Sequence, residues 1–198
     1  MEKIIWGIDP GSSICGVSQL RGGSIGICFN EVPERVYERI LRLSDGSPFN
    51  IVIEDIYPYS LRLTPAVIDT CKLIGELTYR FGLVAKSVTL VPRNSVKKWI
   101  FDTFPEVCTP RIEKKMLLLH ARKLKQGKRG LMKKDGEMYT PSFQYVDDRI
   151  VIAAMKSIHN IPTPKPGKPN IYGLKSTSHA WQALAVCSFF YHTNTSLR

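Results

Sequence analysis

Ile4-Ile5-Trp6-Gly7-Ile8 runs apolar and unbroken into Asp9-Pro10-Gly11. A short apolar run that closes on Pro-Gly reads as a β-strand entering a turn, with Asp9 at the strand's end. Downstream, Cys15 to Leu20 and Ser24 to Phe29, joined by Arg21-Gly22-Gly23, read as a hairpin. Ile51-Val52-Ile53 is β-branched and does not alternate, as expected of a strand buried on both faces, and it ends in Glu54-Asp55. Val88 to Val91 reads as another buried strand. Helical spacing covers Glu34 to Leu43 and Thr64 to Phe81, the latter with Pro65 in its first turn and Gly82 at its end. Asn94 or Ser95 suits the cap of a helix beginning at Val96, and Arg111 to Lys125 reads as a basic helix. Val146 to Ile158 is helical with Asp147 and Asp148 in its first turn, and Thr177 to Tyr191 forms a last apolar helix. Gln126 to Ser142 reads as a loop, and the Pro-rich stretch Pro162 to Tyr172 as an extended connector. No internal repeat occurs. Strands and helices in this order predict a mixed α/β sheet covered on both sides.

The chain has 198 residues, of which 43% are hydrophobic, a globular composition that one domain accommodates. No apolar run approaches the roughly 18 residues of a membrane span, and the N-terminus lacks the layout of a signal peptide. The five cysteines are spread out with no C-x-x-C pair, which predicts reduced, mostly buried thiols rather than a zinc site or disulfides. The net charge is +11, and Arg111 to Lys134 holds ten Lys or Arg against the single acid Glu113. That segment carries +9 and leaves +2 for the rest, which predicts a polyanionic partner, because cations near phosphates release condensed counterions. A solvated basic helix is the plainer alternative.

Asp9 and Glu54 each close an apolar strand. Strand ends of α/β sheets deliver side chains into a cleft, so neighbouring strands would bring these carboxylates together. Hard divalent cations take such oxygen ligands, and two ions about 3.5–4 Å apart can activate water and stabilise a leaving oxygen. Either acid alone suits a helix cap or a lysine pair equally well. Asp55 should point to the opposite sheet face.

The wording around these acids resembles the RuvC family of Holliday-junction resolvases. Ile5-Trp6-Gly7-Ile8-Asp9-Pro10-Gly11 is similar to that family's first catalytic motif, and Ile53-Glu54 to its second. Lys72-Leu73-Ile74-Gly75 follows, then Val91-Pro92-Arg93-Asn94-Ser95-Val96-Lys97-Lys98, which looks like the basic motif after the next strand. Ser178-His179-Ala180-Trp181-Gln182-Ala183-Leu184-Ala185 looks like the C-terminal helix motif. The likeness spans roughly residues 1–100 and 146–191. It implies an RNase H-like fold, with a mixed five-stranded sheet flanked by helices on both faces, across one domain, 1–198. A basic insertion (101–145) and the Pro-rich connector (162–172) interrupt it, which points to a divergent or phage-type branch.

The same resemblance implies a homodimeric endonuclease that nicks four-way DNA junctions with two Mg²⁺ ions, for which Mn²⁺ can substitute. It further implies a cytoplasmic setting, in a bacterium or a phage-infected host. By position, Asp9 bridges both ions, Glu54 binds one, and His179 is the third ligand. Gln182 departs from the family's usual Asp, so Asp147 or Asp148 stands as a compensating ligand. Lys97 matches the active-site lysine that neutralises the scissile phosphate. Tyr57 matches an aromatic that stacks on an unpaired base. Arg93, Lys98, Lys114, Lys115, Arg122, Lys123, Lys125, Lys128 and Arg129 are expected on the DNA backbone. The dimer would use the apolar face of the Thr64 to Phe81 helix. The alternatives are an RNase H-like nuclease acting on flaps or RNA/DNA hybrids, and a junction-binding protein with weakened catalysis. An actin-like ATPase is the least supported, since the chain is short for two lobes.

Overall fold

The structure is a computed structural model that describes residues 2–56, 63–128, 130, 140–162, 170, 172–175 and 178–195. Tyr57, Arg129 and most of the proline-rich connector lie outside the described residues. Five strands, β1 (Ile4–Asp9), β2 (Cys15–Arg21), β3 (Ser24–Glu31), β4 (Phe49–Asp55) and β5 (Ser87–Pro92), form one sheet in the order β3-β2-β1-β4-β5. β1 pairs antiparallel with β2 and parallel with β4, and β4 pairs parallel with β5, so the sheet is mixed. Six helices accompany it among the described residues: α1 (Pro33–Ser44), α2 (Pro65–Gly82), α3 (Arg93–Thr103), α4 (Pro105–Lys125), α5 (Asp148–Ile158) and α6 (Ala180–Thr195). None of them is long and apolar enough to cross a membrane.

Strand alternation decides which side of the sheet each residue serves. Ile4, Trp6 and Ile8 of β1 pack with Ile51 and Ile53 of β4 on the side of α1 and α2, where Val36, Ile40, Leu77 and Phe81 complete a core. Ile5 and Val52 face the other way, into a core shared with α3, α4, α5 and α6. α6 lies very close to the sheet at two glycines. A Cβ on Gly7 would sit 2.4 Å from the Ala183 carbonyl oxygen, and one on Gly16 would sit 2.2 Å from the His179 carbonyl oxygen. Small residues here let a helix backbone touch a strand backbone.

Four local expectations need correction. β5 is the edge strand of the sheet and is not buried as expected: Leu90 is 42% exposed and only Val91 is buried. α3 begins at Arg93 with no side-chain cap, since β5 runs straight into it, so Asn94 and Ser95 lie inside its first turn. α4 begins at Pro105, six residues before Arg111, and continues through Pro110. Proline at the first helical position costs nothing, and Pro110 removes only one bond, to the carbonyl of Glu106, which is exposed. The last helix starts at Ala180 rather than Thr177 and runs to Thr195. All five cysteines are free, and four are buried; Cys71 is exposed.

His159, at the end of α5, is half-buried with its Nε2 2.8 Å from the Ser188 hydroxyl. Burial, aided by the charge of His192, pushes it down from 6.5 to about 4. The folded chain therefore resists a proton that the unfolded chain accepts. Stability should be full above pH 6.5 and fall as pH drops toward 4, by at most roughly 3 kcal/mol. Urea midpoints taken across that interval should fall less steeply for His159→Asn.

Candidate active site

The site forms where β1 and β4 end and α3, α5 and α6 begin. The register pairs Ile8 with Ile53, so the next residues, Asp9 and Glu54, stand side by side. Asp9 is in phase with Ile5 and Gly7, and Glu54 with Val52, so both carboxylates face the α6 side. Asp55 is in phase with Ile51 and Ile53 and belongs to the opposite face. Asp9 is 7% exposed and Glu54 2%. Burial pushes Glu54 up to about 8, against the pull of Arg93 and reinforced by the charge and hydrogen bond of Asp9. Two buried carboxylates in contact cannot both ionise without cost unless a cation joins them.

His179 sits immediately before α6, and its Nδ1 is 3.1 Å from Asp9 Oδ2. The hydrogen bond to Asp9 raises its pKa, while burial opposes the rise. The backbone around it is clamped by the β2–β3 hairpin. Asn30 accepts hydrogen bonds from the Ser178 hydroxyl and the Ala180 amide, at 2.9 and 3.2 Å. The Ser18 hydroxyl donates to the Ala180 carbonyl at 2.7 Å, and Gly16 leaves room for the His179 carbonyl. These contacts join residues about 150 positions apart, and no local pattern announces them.

Gln182, in the first turn of α6, donates from Nε2 to Asp148 Oδ1 at 3.1 Å. Arg93 donates to the same oxygen at 3.3 Å, while its Nε, buried and without a hydrogen bond, lies 3.7 Å from Glu54. Arg93 thus links Glu54 to Asp148, a role that its place in a basic motif did not reveal. Asp147 is spent elsewhere: it caps α5 by accepting from the Ile150 amide and pairs with Lys115 at 2.8 Å. Despite opposing burial, Lys115 and the α5 amides hold its carboxyl below the usual range. Of the two adjacent acids, only Asp148 reaches the Gln182 and Arg93 side chains.

Lys97 lies one turn after Arg93 and is partly buried. Burial and the Arg93 charge lower its pKa, while Asp148 and Glu54 raise it, which places it within their field. Lys98 points elsewhere and pairs with Asp102. Lys114, Arg122, Lys123, Lys125 and Lys128 are exposed along α4 and just beyond it. Three helices, α3, α5 and α6, start at this cleft, so their positive dipole ends favour an anion there, and α3 starts without a side-chain cap.

The donor set of Asp9, Glu54, His179 and Asp148 suits a hard divalent cation, which would relieve the repulsion between the buried acids. Among the described residues, no group of three or more His, Cys, Asp or Glu is gathered tightly enough to hold an ion as the side chains stand. Arg93 supplies the positive charge between Glu54 and Asp148 instead.

No family model matches the chain, and no curated protein matches it in sequence. Solved structures do. The chain is similar to Thermus thermophilus RuvC, with a TM-score of 0.55 at 14% identity, covering 97% of each chain. It is also similar to T. thermophilus RuvC in complex with a Holliday junction substrate, with a TM-score of 0.53 at 13% identity, covering 98% of this chain and 97% of that one. At such identities the likeness is one of fold. The chain has the RNase H-like architecture of RuvC, built on a mixed five-stranded sheet with helices on both faces.

Proposed function

We propose that this protein is a metal-dependent endonuclease that nicks four-way DNA junctions symmetrically, as a homodimer. The observation that carries this reading is the pair of buried, touching carboxylates, Asp9 and Glu54, beneath His179 on the fold that RuvC has. Asp9, Glu54 and His179 would hold Mg²⁺ or Mn²⁺, with Asp148 supplying the charge that Gln182 lacks. Bound there, the metal supplies an activated water and a counter-charge for the leaving oxygen. The chain's own residues do the rest. Lys97 and Arg93 offset charge on the scissile phosphate, and the uncapped start of α3 orients it. Gln182 and Arg93 hold Asp148 toward the cleft. The basic residues of α4 contact a DNA arm.

The apolar face of α2 is taken up by the core through Ile74, Leu77 and Phe81, so a second copy would meet the outer face instead, where Ile68, Tyr79 and the following Leu83 are exposed on the same side as Cys71. A symmetric substrate calls for a twofold protein. The test is nicking of a labelled four-way junction with Mg²⁺, with Mn²⁺ and with chelator. Paired, symmetric nicks that require metal support the proposal. Equal cutting of a flap or an RNA/DNA hybrid would move the substrate assignment. Binding without cutting under every metal would favour a junction-binding protein, the reading that Gln182 and the Arg93 bridge encourage.

Asp147 and Asp148 separate cleanly by substitution. Asp148→Asn should weaken Mn²⁺ binding, read by calorimetry, and lower nicking by about 10-fold to 100-fold. Asp147→Asn should leave the metal requirement intact and cost about 1 kcal/mol or less of stability through its cap and its Lys115 pair.

A further inference from the structure

α3 and α4 form a helical hairpin that turns at Phe104, where the Cys108 thiol donates back to the Ile100 carbonyl at 3.6 Å. α3 starts at the catalytic end of the sheet, with Arg93 on Glu54 and Asp148, and descends for 11 residues. α4 climbs back for 21 residues, burying Cys108, Ile112 and Met116 on the way. It reaches the rim of the site at Lys115, which donates to Asp147 and to the Tyr145 carbonyl. The ten residues from Met116 to Lys125 therefore extend about 15 Å past that rim. From Ala121 to Lys128 every residue is exposed.

This overhang carries more than charge. Leu117, Leu118 and Leu124 are 56%, 65% and 55% exposed, among Lys114, Arg122, Lys123, Lys125 and Lys128. A merely solvated basic helix has no use for three open leucines. Pairing with α4 of a second copy would bring like charges together, so the surface calls for a polyanion that also offers apolar area between its charges. DNA does so, through sugar and base surfaces lying between phosphates.

We infer that the projecting half of α4 is a substrate arm: its lysines and arginines hold the phosphates of a duplex arm beside the cleft, and Leu117, Leu118 and Leu124 pack against sugars and bases at an opened step. This assignment rests on the proposed DNA substrate, and it adds leucines to a contact otherwise ascribed to charge alone.

The test is binding of the full chain to a four-way junction in chelator, by fluorescence anisotropy across a salt series. The triple variant Leu117→Ser, Leu118→Ser, Leu124→Ser should bind roughly 10-fold to 100-fold more weakly with an unchanged salt slope. The triple variant Lys123→Gln, Lys125→Gln, Lys128→Gln should instead flatten the slope of log affinity against log salt by about 2 to 3. 2-Aminopurine placed at the branch should brighten on adding the wild type and respond less to the leucine variant. All six positions are exposed, so circular dichroism and thermal melts should match the wild type.

Wild-type affinity in the leucine variant would overturn the inference. So would a leucine-dependent gain of anionic phosphatidylserine vesicles, or of self-association, with DNA binding unchanged. Metal-dependent nicking is scored separately. A wild type that nicks while the leucines prove irrelevant loses only the arm; leucine-dependent binding without nicking under any metal removes only the nuclease.

Discussion

Asp9→Asn is expected to lower metal-dependent nicking of a four-way junction by at least about 10³-fold, with junction affinity in chelator nearly unchanged. Asparagine keeps the size of Asp9 and an oxygen facing His179 Nδ1, now 3.1 Å from Asp9 Oδ2, but it removes the charge a hard cation requires. Glu54→Gln should cost a similar factor, and it makes a sharper test because stability should move the other way. Burial and the Asp9 carboxylate push Glu54 up to about 8 from 4.5. The unfolded chain therefore releases that proton first, and stability drains away as pH rises from 4.5 toward 8. Glutamine removes this penalty, so in chelator near pH 8 the variant should melt above the wild type. Activity lost while stability is gained marks a site shaped for function rather than for packing. Full nicking by either variant would sink the assignment of these acids.

Gly16→Ala should be severely destabilising for a single added methyl group. Its Cβ would lie 2.2 Å from the His179 carbonyl oxygen and 2.7 Å from the Ala180 amide nitrogen, both backbone atoms that cannot rotate aside. The start of α6 must lift off β2, straining the Ser18 and Asn30 hydrogen bonds that hold the Ala180 peptide group. A loss of roughly 3 kcal/mol is expected, at the upper end for overpacking, read as a lower urea midpoint. Nicking should fall further than stability explains, because His179 moves with the helix start. Gly75→Ala serves as the control: nothing lies within 4 Å of its Cβ, so the same methyl in α2 should stabilise by about 0.5–1 kcal/mol. Equal effects at both glycines would mean that α6 is not seated on β2 as described.

These two expectations draw on different kinds of information. The positions of Asp9 and Glu54 were legible from the chain alone, because strand ends announce themselves. An unbroken apolar run stops at Pro10-Gly11, a β-branched run stops at Glu54-Asp55, and alternation sends Asp55 to the other face. The helix read over Thr64 to Phe81 and found at Pro65–Gly82 was legible for the same reason, since periodicity and terminal Pro and Gly are short-range physics; that Thr64 caps it came from the structure. Tertiary packing overruled such signals at Pro110, where a local stop yields to a helix held down by Cys108, Ile112 and Met116. It also overruled them at β5, whose apolar run lies at the sheet edge.

By itself, then, the sequence determined the mixed α/β class, the two strand-end acids, the free cysteines and the concentration of positive charge in one segment. Only the tertiary structure decided that Asp148 rather than Asp147 faces Gln182, that Arg93 bridges Glu54 and Asp148, and that Gly16 and Asn30 seat His179. It alone showed α4 overrunning the rim with its leucines bare. The physical reason is range. Periodicity, capping and turn chemistry act within one or two turns of chain. The partner of a buried charge is chosen by which elements pack together, and that is set by the whole core at once.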